Sequence, residues 1–254
     1  MSLTRLVPIP SGINIGVTAA RQATMLSLLG NPRGSYDQTC QAVTNATLTS
    51  LITSADVGPF PVRGLAPAVE SLMRVMRDIR AEAPEIHAAL GTVGMLCARF
   101  VRGSTTSISN HSWGTAIDLT LEGRLDTRGD GLVQEGLTRI YPIFNHHGWY
   151  WGAGFRTEDA MHFECGDDLI RTWALEGIIG SAAPVSIPVI LSMGDRGPDV
   201  MRLQQALIAK GASISADGIF GRATQAAVMA FQAAHGLAVD GVAGPRTLSA
   251  LGIG

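Results

Sequence analysis

The sequence has 254 residues, of which 46% are hydrophobic and 16% charged, with a formal net charge of −2 at pH 7. This length accommodates one large domain or a medium domain with a small one, and the composition excludes a disordered chain. The near-neutral charge gives no reason to expect nucleic acid as a partner, and no apolar run reaches the roughly 20 residues of a transmembrane helix. We therefore expect a globular monomer that binds no nucleic acid and inserts into no membrane.

The N-terminus and the cysteines indicate the compartment. Residues 1–22 lack a charged segment leading into a compact apolar one, so we expect no secretory signal peptide. Cys40, Cys97 and Cys165 are too few and too scattered for a disulfide scaffold. Reduced thiols are the expectation, with a Cys40–Cys165 bridge left open.

The first 64 residues read as an extension rich in Thr, Ser, Gly and Pro, to which the sequence assigns no chemistry. A helix is predicted over residues 18–29, where Gly30-Asn31-Pro32 ends it. Another helical turn is predicted over residues 47–52, and residues 57–64 are predicted to form a loop.

A clear amphipathic helix is predicted over residues 65–81. Its apolar residues at helical spacing are Val69, Leu72, Met73, Met76 and Ile79. A short helix over residues 83–90 follows. The alternating patterns of residues 95–102 and 115–121 predict two strands, the second of which contains Asp118.

Residues 122–131 are predicted to form a polar turn, since their ladder of acidic residues is too incomplete for a calcium loop. A helix over residues 136–146 is expected next. An aromatic, glycine-rich segment then leads to His162, and a last helix over residues 168–177 closes this part of the chain.

The character of the sequence changes in the C-terminal quarter. Residues 179–190 have small side chains, two prolines and no charge, which is typical of a linker. An internal repeat follows: the sequence DGIFGRAT at residues 217–224 recurs in similar form as DGVAGPRT at residues 240–247. Apolar helical faces over residues 200–207 and 226–234 predict a small helical bundle.

Two histidines and two aspartates form the candidate catalytic centre. Catalytic zinc usually has three ligands from His, Asp or Glu and a position for water, whose proton a nearby carboxylate must take. His111, Asp118 and His162 can supply the ligands. Asp159 lies three residues before His162 and is placed to act as the base, a role for which Glu158 competes.

These residues lie in two segments that resemble LAS-type zinc peptidases, which cleave peptidoglycan stem peptides and include VanY-like D-Ala-D-Ala carboxypeptidases and the L-alanyl-D-glutamate endopeptidases of phage lysis enzymes. The matching residues are Ser109, His111, Gly114, Ala116 and Asp118, then Trp151, Gly152, Asp159, His162, Phe163 and Glu164. The resemblance covers roughly residues 65–175. It implies Zn²⁺ on His111, Asp118 and His162, with Asp159 as general base. Glu164 is expected to orient a ligand or to order the strand.

The same families carry an arginine on the strand before the first motif, where it contacts the substrate or stabilises the oxyanion. Arg99 and Arg102 both qualify. On a regular strand they lie on opposite faces, so at most one points into the site. We favour Arg102, because it precedes Gly103-Ser104 much as the family arginine precedes Ser or Thr.

Residues 191–251 resemble the peptidoglycan-binding type 1 domain, a three-helix module that binds the cell wall. The matching text is VMRLQQAL, DGIFGRATQAAVMAFQAAHGL and DGVAGPRTLSAL. The resemblance implies bacterial cell-wall peptidoglycan as partner. The residues it assigns to the binding groove or its supporting turns are Asp217, Gly218, Phe220, Gly221, Thr224 and Gln232.

The predicted architecture is α+β, with a small antiparallel sheet and flanking helices over residues 1–178, of which 1–64 are the extension. A linker over residues 179–190 and a three-helix bundle over 191–254 follow. The resemblances imply zinc-dependent hydrolysis of the stem peptide, as by a phage endolysin, with the L-alanyl-D-glutamate bond preferred. A D-Ala-D-Ala carboxypeptidase and a non-catalytic wall-binding protein are the alternatives. Such an enzyme is expected to be made in the host cytoplasm and to reach the wall after the membrane is permeabilised.

Overall fold

A computed structural model describes residues 2–180 and 191–253. The chain forms two compact units, Met1–Val185 and Ser186–Gly254. The predicted linker over residues 179–190 falls almost wholly outside the described residues. No helix in the described ranges combines the length and hydropathy needed to cross a membrane.

The first unit combines short strands with helices, which confirms the predicted α+β class. Its helices are α1 (Gln22–Leu29), α2 (Ala46–Ser50), α3 (Ala66–Glu82), α4 (Pro84–Ala89), α5 (Glu135–His146) and α6 (Asp167–Leu175). Its strands are β1 (Leu6–Pro8), β2 (Ile52–Asp56), β3 (Pro61–Leu65), β4 (Leu90–Gly94), β5 (Ala116–Leu121), β6 (Leu132–Gln134), β7 (Trp149–Trp151) and β8 (His162–Cys165). There are also two 3₁₀ turns: Asn110–Trp113, which contains His111, and Gly152–Gly154, which follows β7.

An antiparallel sheet of four strands, in the order β4-β5-β8-β7, carries the candidate site. Its register places Asp118 of β5 directly opposite His162 of β8. Residues directly opposite on neighbouring antiparallel strands project from the same face, with Cβ atoms about 5 Å apart. The sheet therefore brings two candidate ligands together. The pairs β1-β6 and β2-β3 form separate two-stranded sheets.

Helix α3 supplies an apolar face to the core, as its spacing predicts. Val69, Leu72, Met76 and Ile79 are each at most 1% exposed. Burial of such side chains contributes about 1.5–3 kcal/mol each. Met73, which the pattern also assigned to this face, is 45% exposed because it lies at the edge of the stripe.

The strand predicted over residues 95–102 is wrong. The regular strand is β4, just upstream, and it ends at Gly94 after a register shift in its pairing with β5. Gly94 has φ 126°, a conformation that favours glycine and interrupts the strand. The segment beyond it makes isolated bridges only, Gln41 with Ala98 and Phe100 with Ile108.

The predicted loop over residues 57–64 is also wrong in part, because it contains most of β3. Pro61 begins that strand, a position where proline is tolerated because little is lost with its missing N–H. Strand β3 pairs with β2 in a hairpin. The two prolines of this segment led to the prediction of a loop where the chain forms a strand.

The cysteines pair differently from both expectations. Cys40 and Cys97 form a disulfide with Cα atoms 5.1 Å apart, whereas Cys165 is free and buried. The backbone bridge between Gln41 and Ala98, the residues that follow the two cysteines, brings them together. Cys165 lies on β8, so neither fully reduced thiols nor a Cys40–Cys165 bridge is correct.

The second unit is the predicted three-helix bundle. Its helices are α7 (Pro198–Ala209), α8 (Arg222–Ala234) and α9 (Pro245–Leu251). Its buried core consists of Leu191, Val200, Leu203, Leu207, Phe220, Val228, Phe231, Ala243, Leu248 and Leu251.

The internal repeat appears in this unit as two matching hydrogen-bonded turns. In the first, Gln204 Nε2 donates to Asp217 Oδ1 at 2.8 Å and Thr224 Oγ1 at 3.0 Å, and its Oε1 accepts from Gly218 N at 2.8 Å. The corresponding residues of the second turn are Gln232, Asp240, Thr247 and Gly241. Each buried glutamine thus hydrogen-bonds the polar groups of the turn that precedes the next helix.

Candidate metal centre

His111 is held in a short 3₁₀ turn, Asn110–Trp113, which Gly114 ends with φ 68°. A Cβ on Gly114 would lie 2.8 Å from the Cα of Gly64, so this left-handed and crowded position requires glycine. The His111 ring is 3% exposed, and its Nδ1 lies 3.1 Å from the carbonyl oxygen of Met95. The turn and this contact fix the direction of the ring.

The three candidate ligands converge on one carboxylate oxygen. Asp118 Oδ1 lies 3.1 Å from His111 Nε2 and 3.0 Å from His162 Nδ1. One donor atom from each residue lies within 4.8 Å of the others, and in the described part of the chain no other His, Cys, Asp or Glu group meets this criterion.

The hydrogen bonds of His111 leave a ligand atom free. A carbonyl oxygen can only accept, so Nδ1 carries the proton in its contact with Met95 and Nε2 carries a lone pair. Nε2 is buried and has no hydrogen-bond partner, although it lies 3.1 Å from Asp118 Oδ1. Both atoms are acceptors in this tautomer, so no hydrogen bond joins them although they lie close together. A metal ion fits between them, and two imidazoles with a carboxylate suit zinc.

Glu164 orients the other imidazole, as expected. His162 Nε2 donates to Glu164 Oε2 at 2.9 Å, which directs Nδ1 towards Asp118. Asn110 Nδ2 donates to the same oxygen at 2.9 Å, and the backbone N–H of Ala20 donates to Oε1 at 3.0 Å. Such outer carboxylates fix the tautomer and direction of metal-binding histidines. The N-terminal extension thus supports the site through Ala20.

Two carboxylates face the buried imidazole of His162. Burial disfavours a charged His162, yet hydrogen bonds to Asp118 and Glu164 raise its pKa to about 10. Burial likewise disfavours a charged Asp118, but the hydrogen bond and the charge of His162 act to lower the pKa of its carboxyl. A metal ion on His162 Nδ1 therefore competes with a proton for that nitrogen.

Asp159 lies in a cleft of about 460 Å³ that is also lined by Asp118 and His162. Its Oδ1 is buried without a hydrogen-bond partner, and burial raises the pKa of its carboxyl. A Cβ on Gly152 would lie 2.5 Å from the carbonyl oxygen of Asp159, so glycine is needed for this turn to pack. The competing carboxylate, Glu158, instead accepts from Gly131 N at 2.6 Å and is absent from the cleft lining.

Both candidate arginines line the cleft, contrary to the expectation that at most one does. The expectation failed because residues 95–102 are not a regular strand with alternating faces. Arg99 is half-buried, which lowers its pKa, while the charges of Asp118 and Asp159 act in the opposite direction. Arg102 is exposed. Arg99 is thus the more buried of the two, and its charge interacts with those of Asp118 and Asp159.

Several lining residues were missed by the sequence reasoning. They include Asn110, Arg128, Phe155 and Arg156, as well as Ala20 and Gln22 of the extension. Asn110 stands beside His111 in the first motif and could have been noticed there. Arg128 lies in the polar turn, and the sequence of that turn does not predict that it borders the cleft.

In the second unit, the assigned wall-binding residues mainly build the repeat. Phe220, Thr224 and Gln232 are at most 2% exposed, so they support the turns rather than face a ligand. Asp217 and Gly218 take part in the same hydrogen bonds. A separate apolar groove of about 500 Å³ is lined by Leu207, Lys210, Gly211, Ala212, Ser213, Ile214, Ala223, Ala226, Ala227, Ala230, Phe231, Ala234 and His235. None of the six predicted residues lines it.

Known protein families match both units. Residues 102–165 match the family model described as D-alanyl-D-alanine carboxypeptidase, and residues 196–251 match that of a peptidoglycan binding domain. The first match contains the three candidate ligands and Asp159. Both resemblances drawn from the sequence are therefore confirmed over these two segments.

Similarity to individual proteins covers short stretches. The chain is 48% identical over 62 residues to the zinc D-Ala-D-Ala carboxypeptidase of Streptomyces albus G, covering 23% of this chain and 24% of that protein. It is 43% identical over 74 residues to the N-acetylmuramoyl-L-alanine amidase CwlL of Bacillus licheniformis, covering 28% and 21%. The chain thus spans about a quarter of the length of the curated relatives it matches.

Among solved structures, the crystal structure of the Burkholderia AP3 phage endolysin is 59% identical, covering 25% of this chain and 24% of that chain. The TM-score of 0.25 is too low to indicate a common overall fold.

Proposed function

We propose that this protein is a zinc-dependent peptidase that cuts a peptide bond in the stem peptide of bacterial peptidoglycan. The proposal depends on one observation: the Nε2 atom of His111 is buried, has no hydrogen-bond partner and lies close to ligand atoms of Asp118 and His162. Asp118 and His162 line the same cleft as Asp159. The carboxypeptidase match over residues 102–165 supports the same reaction class.

The donor set fits zinc, with His111 Nε2, His162 Nδ1 and a carboxylate oxygen of Asp118 as ligands. When bound, zinc lowers the pKa of a water molecule towards neutrality and polarises the scissile carbonyl. The chain's own residues hold the two imidazoles in the required tautomers: Met95 does so for His111 and Glu164 for His162.

Asp159 is the proposed general base. Its unpartnered Oδ1 can accept a proton from the attacking water, and its raised pKa suits a group that then gives the proton to the leaving nitrogen. Arg99, whose charge interacts with Asp118 and Asp159, is proposed to stabilise the negative charge that develops on the carbonyl oxygen. Arg102 is exposed at the cleft and is proposed to contact substrate.

The L-alanyl-D-glutamate bond is our first proposal for the bond that is cut, because the WGxGF…DxxHFE text resembles that subgroup. The D-Ala-D-Ala bond is the second, since the family model that matches residues 102–165 is described as a carboxypeptidase. Mass spectrometry of muropeptides after digestion separates them. Loss of one terminal D-Ala supports the carboxypeptidase, new N-terminal D-Glu supports the endopeptidase, and unchanged muropeptides contradict both.

The second unit is proposed to hold the enzyme on the wall, which raises its local concentration on an insoluble substrate. Sedimentation of the full chain with purified peptidoglycan tests this. A non-catalytic wall-binding protein predicts sedimentation without hydrolysis, but the complete set of His111, Asp118, His162 and Asp159 speaks against it. A monomer made in the cytoplasm and released by membrane permeabilisation stays a prediction.

A further inference from the structure

The cleft beside the candidate metal centre carries an excess of positive side chains. The arginines that line it are Arg99, Arg102, Arg128 and Arg156. The carboxylates already have partners: Asp118 and Glu164 contact His162, and Asp159 contacts Arg128. Guanidinium groups in excess over carboxylates favour an anionic ligand.

Arg128 differs from the other three arginines because it pairs with the proposed base. Its Nε lies 3.4 Å from Asp159 Oδ2, which is longer than the roughly 2.7–2.9 Å of a well-formed charge-assisted hydrogen bond. The side chains are 34% and 25% exposed, so solvent screens the pair. Among the described residues, the guanidinium of Arg128 makes no other hydrogen bond or ion pair. The contact is therefore weak and leaves most donors of Arg128 free.

The backbone around Arg128 is tied to the segment that carries the base. Glu158 Oε1 accepts from Gly131 N at 2.6 Å, and its carbonyl oxygen accepts from Gly129 N at 3.1 Å. Glu158 directly precedes Asp159. These bonds keep the loop beside the base, so a change of partner by Arg128 needs only a side-chain movement.

We propose that Arg128 selects substrates with a free carboxylate beside the scissile bond, and that this carboxylate takes Arg128 away from Asp159. The inference rests on the proposed function. In both candidate bonds, the residue that supplies the leaving nitrogen carries a free α-carboxylate. The planar fork of an arginine can bind such a carboxylate through two parallel hydrogen bonds, whereas Asp159 receives one long contact. Binding of an anionic peptide thus removes the one cationic contact of Asp159 Oδ2, and Oδ1 is already without a partner.

Matched peptides test this proposal with the zinc-loaded full chain. L-Ala-γ-D-Glu-L-Lys-D-Ala-D-Ala is compared with the peptide in which the α-carboxyl of D-Glu is a carboxamide, and with the peptide whose C-terminus is a carboxamide. The informative pair is the one whose modified residue follows the bond that is cut. The experiment compares four proteins: the wild type, Arg128→Gln, Arg128→Lys and the control Arg124→Gln. Arg124 serves as the control because it is exposed on the same turn and is absent from the cleft lining.

The wild type is expected to prefer the carboxylate over the carboxamide about 10- to 100-fold in kcat/KM, the range of a charge-assisted hydrogen bond. Arg128→Gln should reduce this ratio to near one by raising KM for the carboxylate peptide, with little change in kcat because Asp159 stays available. Arg128→Lys should give an intermediate ratio, since it keeps the charge and loses the fork. Arg124→Gln should behave as wild type.

A wild-type ratio near one, or an unchanged ratio in Arg128→Gln, overturns the proposal. A fall in kcat for both peptides alike also overturns it, because that result assigns Arg128 to positioning Asp159. If the wild type cuts neither peptide, the proposed function fails instead. Titration calorimetry with the same peptides then decides the role of Arg128: tighter binding of the carboxylate that is lost in Arg128→Gln supports it, and equal binding contradicts it.

Discussion

Replacing Glu164 by glutamine tests how the chain prepares its metal ligands. The carboxylate accepts from His162 and Asn110 through Oε2 and from the N–H of Ala20 through Oε1. A glutamine has the same shape but one acceptor oxygen. If the NH₂ of the glutamine faces Ala20, it meets the backbone N–H of Ala20, and two donors face each other. If the NH₂ faces His162, Nε2 of the imidazole must accept, so the ring proton moves to Nδ1, the atom proposed to bind zinc.

Either orientation leaves one buried group without a suitable partner, at about 1–3 kcal/mol. We therefore expect Glu164→Gln to weaken zinc binding about 10- to 100-fold, as for other losses of an outer carboxylate. Competition with a chromogenic chelator measures the zinc Kd, and circular dichroism verifies the fold. The exposed Glu82→Gln is the matched control and should bind zinc as wild type does. Equal zinc affinity in Glu164→Gln and wild type would refute the role of Glu164.

Three further predictions concern stability. Cys40→Ser opens a loop of sequence separation 57 and should lower the free energy of unfolding by roughly 4 kcal/mol in urea titrations; an unchanged midpoint contradicts the disulfide. Burial raises the pKa of Asp126 to about 6, so the folded state binds its proton more tightly than the unfolded state and stability falls as pH rises from about 4 to 6. After allowance for screening, Asp126→Asn should be about 1–2 kcal/mol more stable than wild type at pH 8 and equal at pH 4, and a constant difference across that range rules this out. Gln232→Ala removes the buried side chain that hydrogen-bonds the second repeat turn, and it should destabilise the second unit by about 2–4 kcal/mol in a calorimetric scan. Gln205→Ala changes an exposed glutamine and should have little effect in the same scan.

Local patterns predicted much of the fold. The helical spacing in α3 identified most of its buried face, and the alternation around Asp118 identified β5. The register of β5 against β8, which joins residues 44 positions apart, cannot be read from either segment alone. The repeat in the second unit was visible because both copies use the same turn text.

Residue identity led to His111, Asp118, His162 and Asp159, which the structure brings close together. The structure was not predictable where long-range packing decides, as for the disulfide, which depends on a bridge between distant segments. The expectation that at most one of the two arginines faces the site failed for a similar reason, since it assumed a regular strand where the chain is irregular.

Digestion of purified peptidoglycan in heavy-oxygen water, followed by mass spectrometry of the released muropeptides, tests the central claim most directly. The account predicts that the zinc-loaded wild type cuts one stem-peptide bond and leaves one heavy oxygen in the new carboxyl group. Asp159→Ala, with its zinc content verified, should produce no such fragment. Unlabelled or absent fragments from the wild type, or labelled fragments at the wild-type rate from Asp159→Ala, would contradict it.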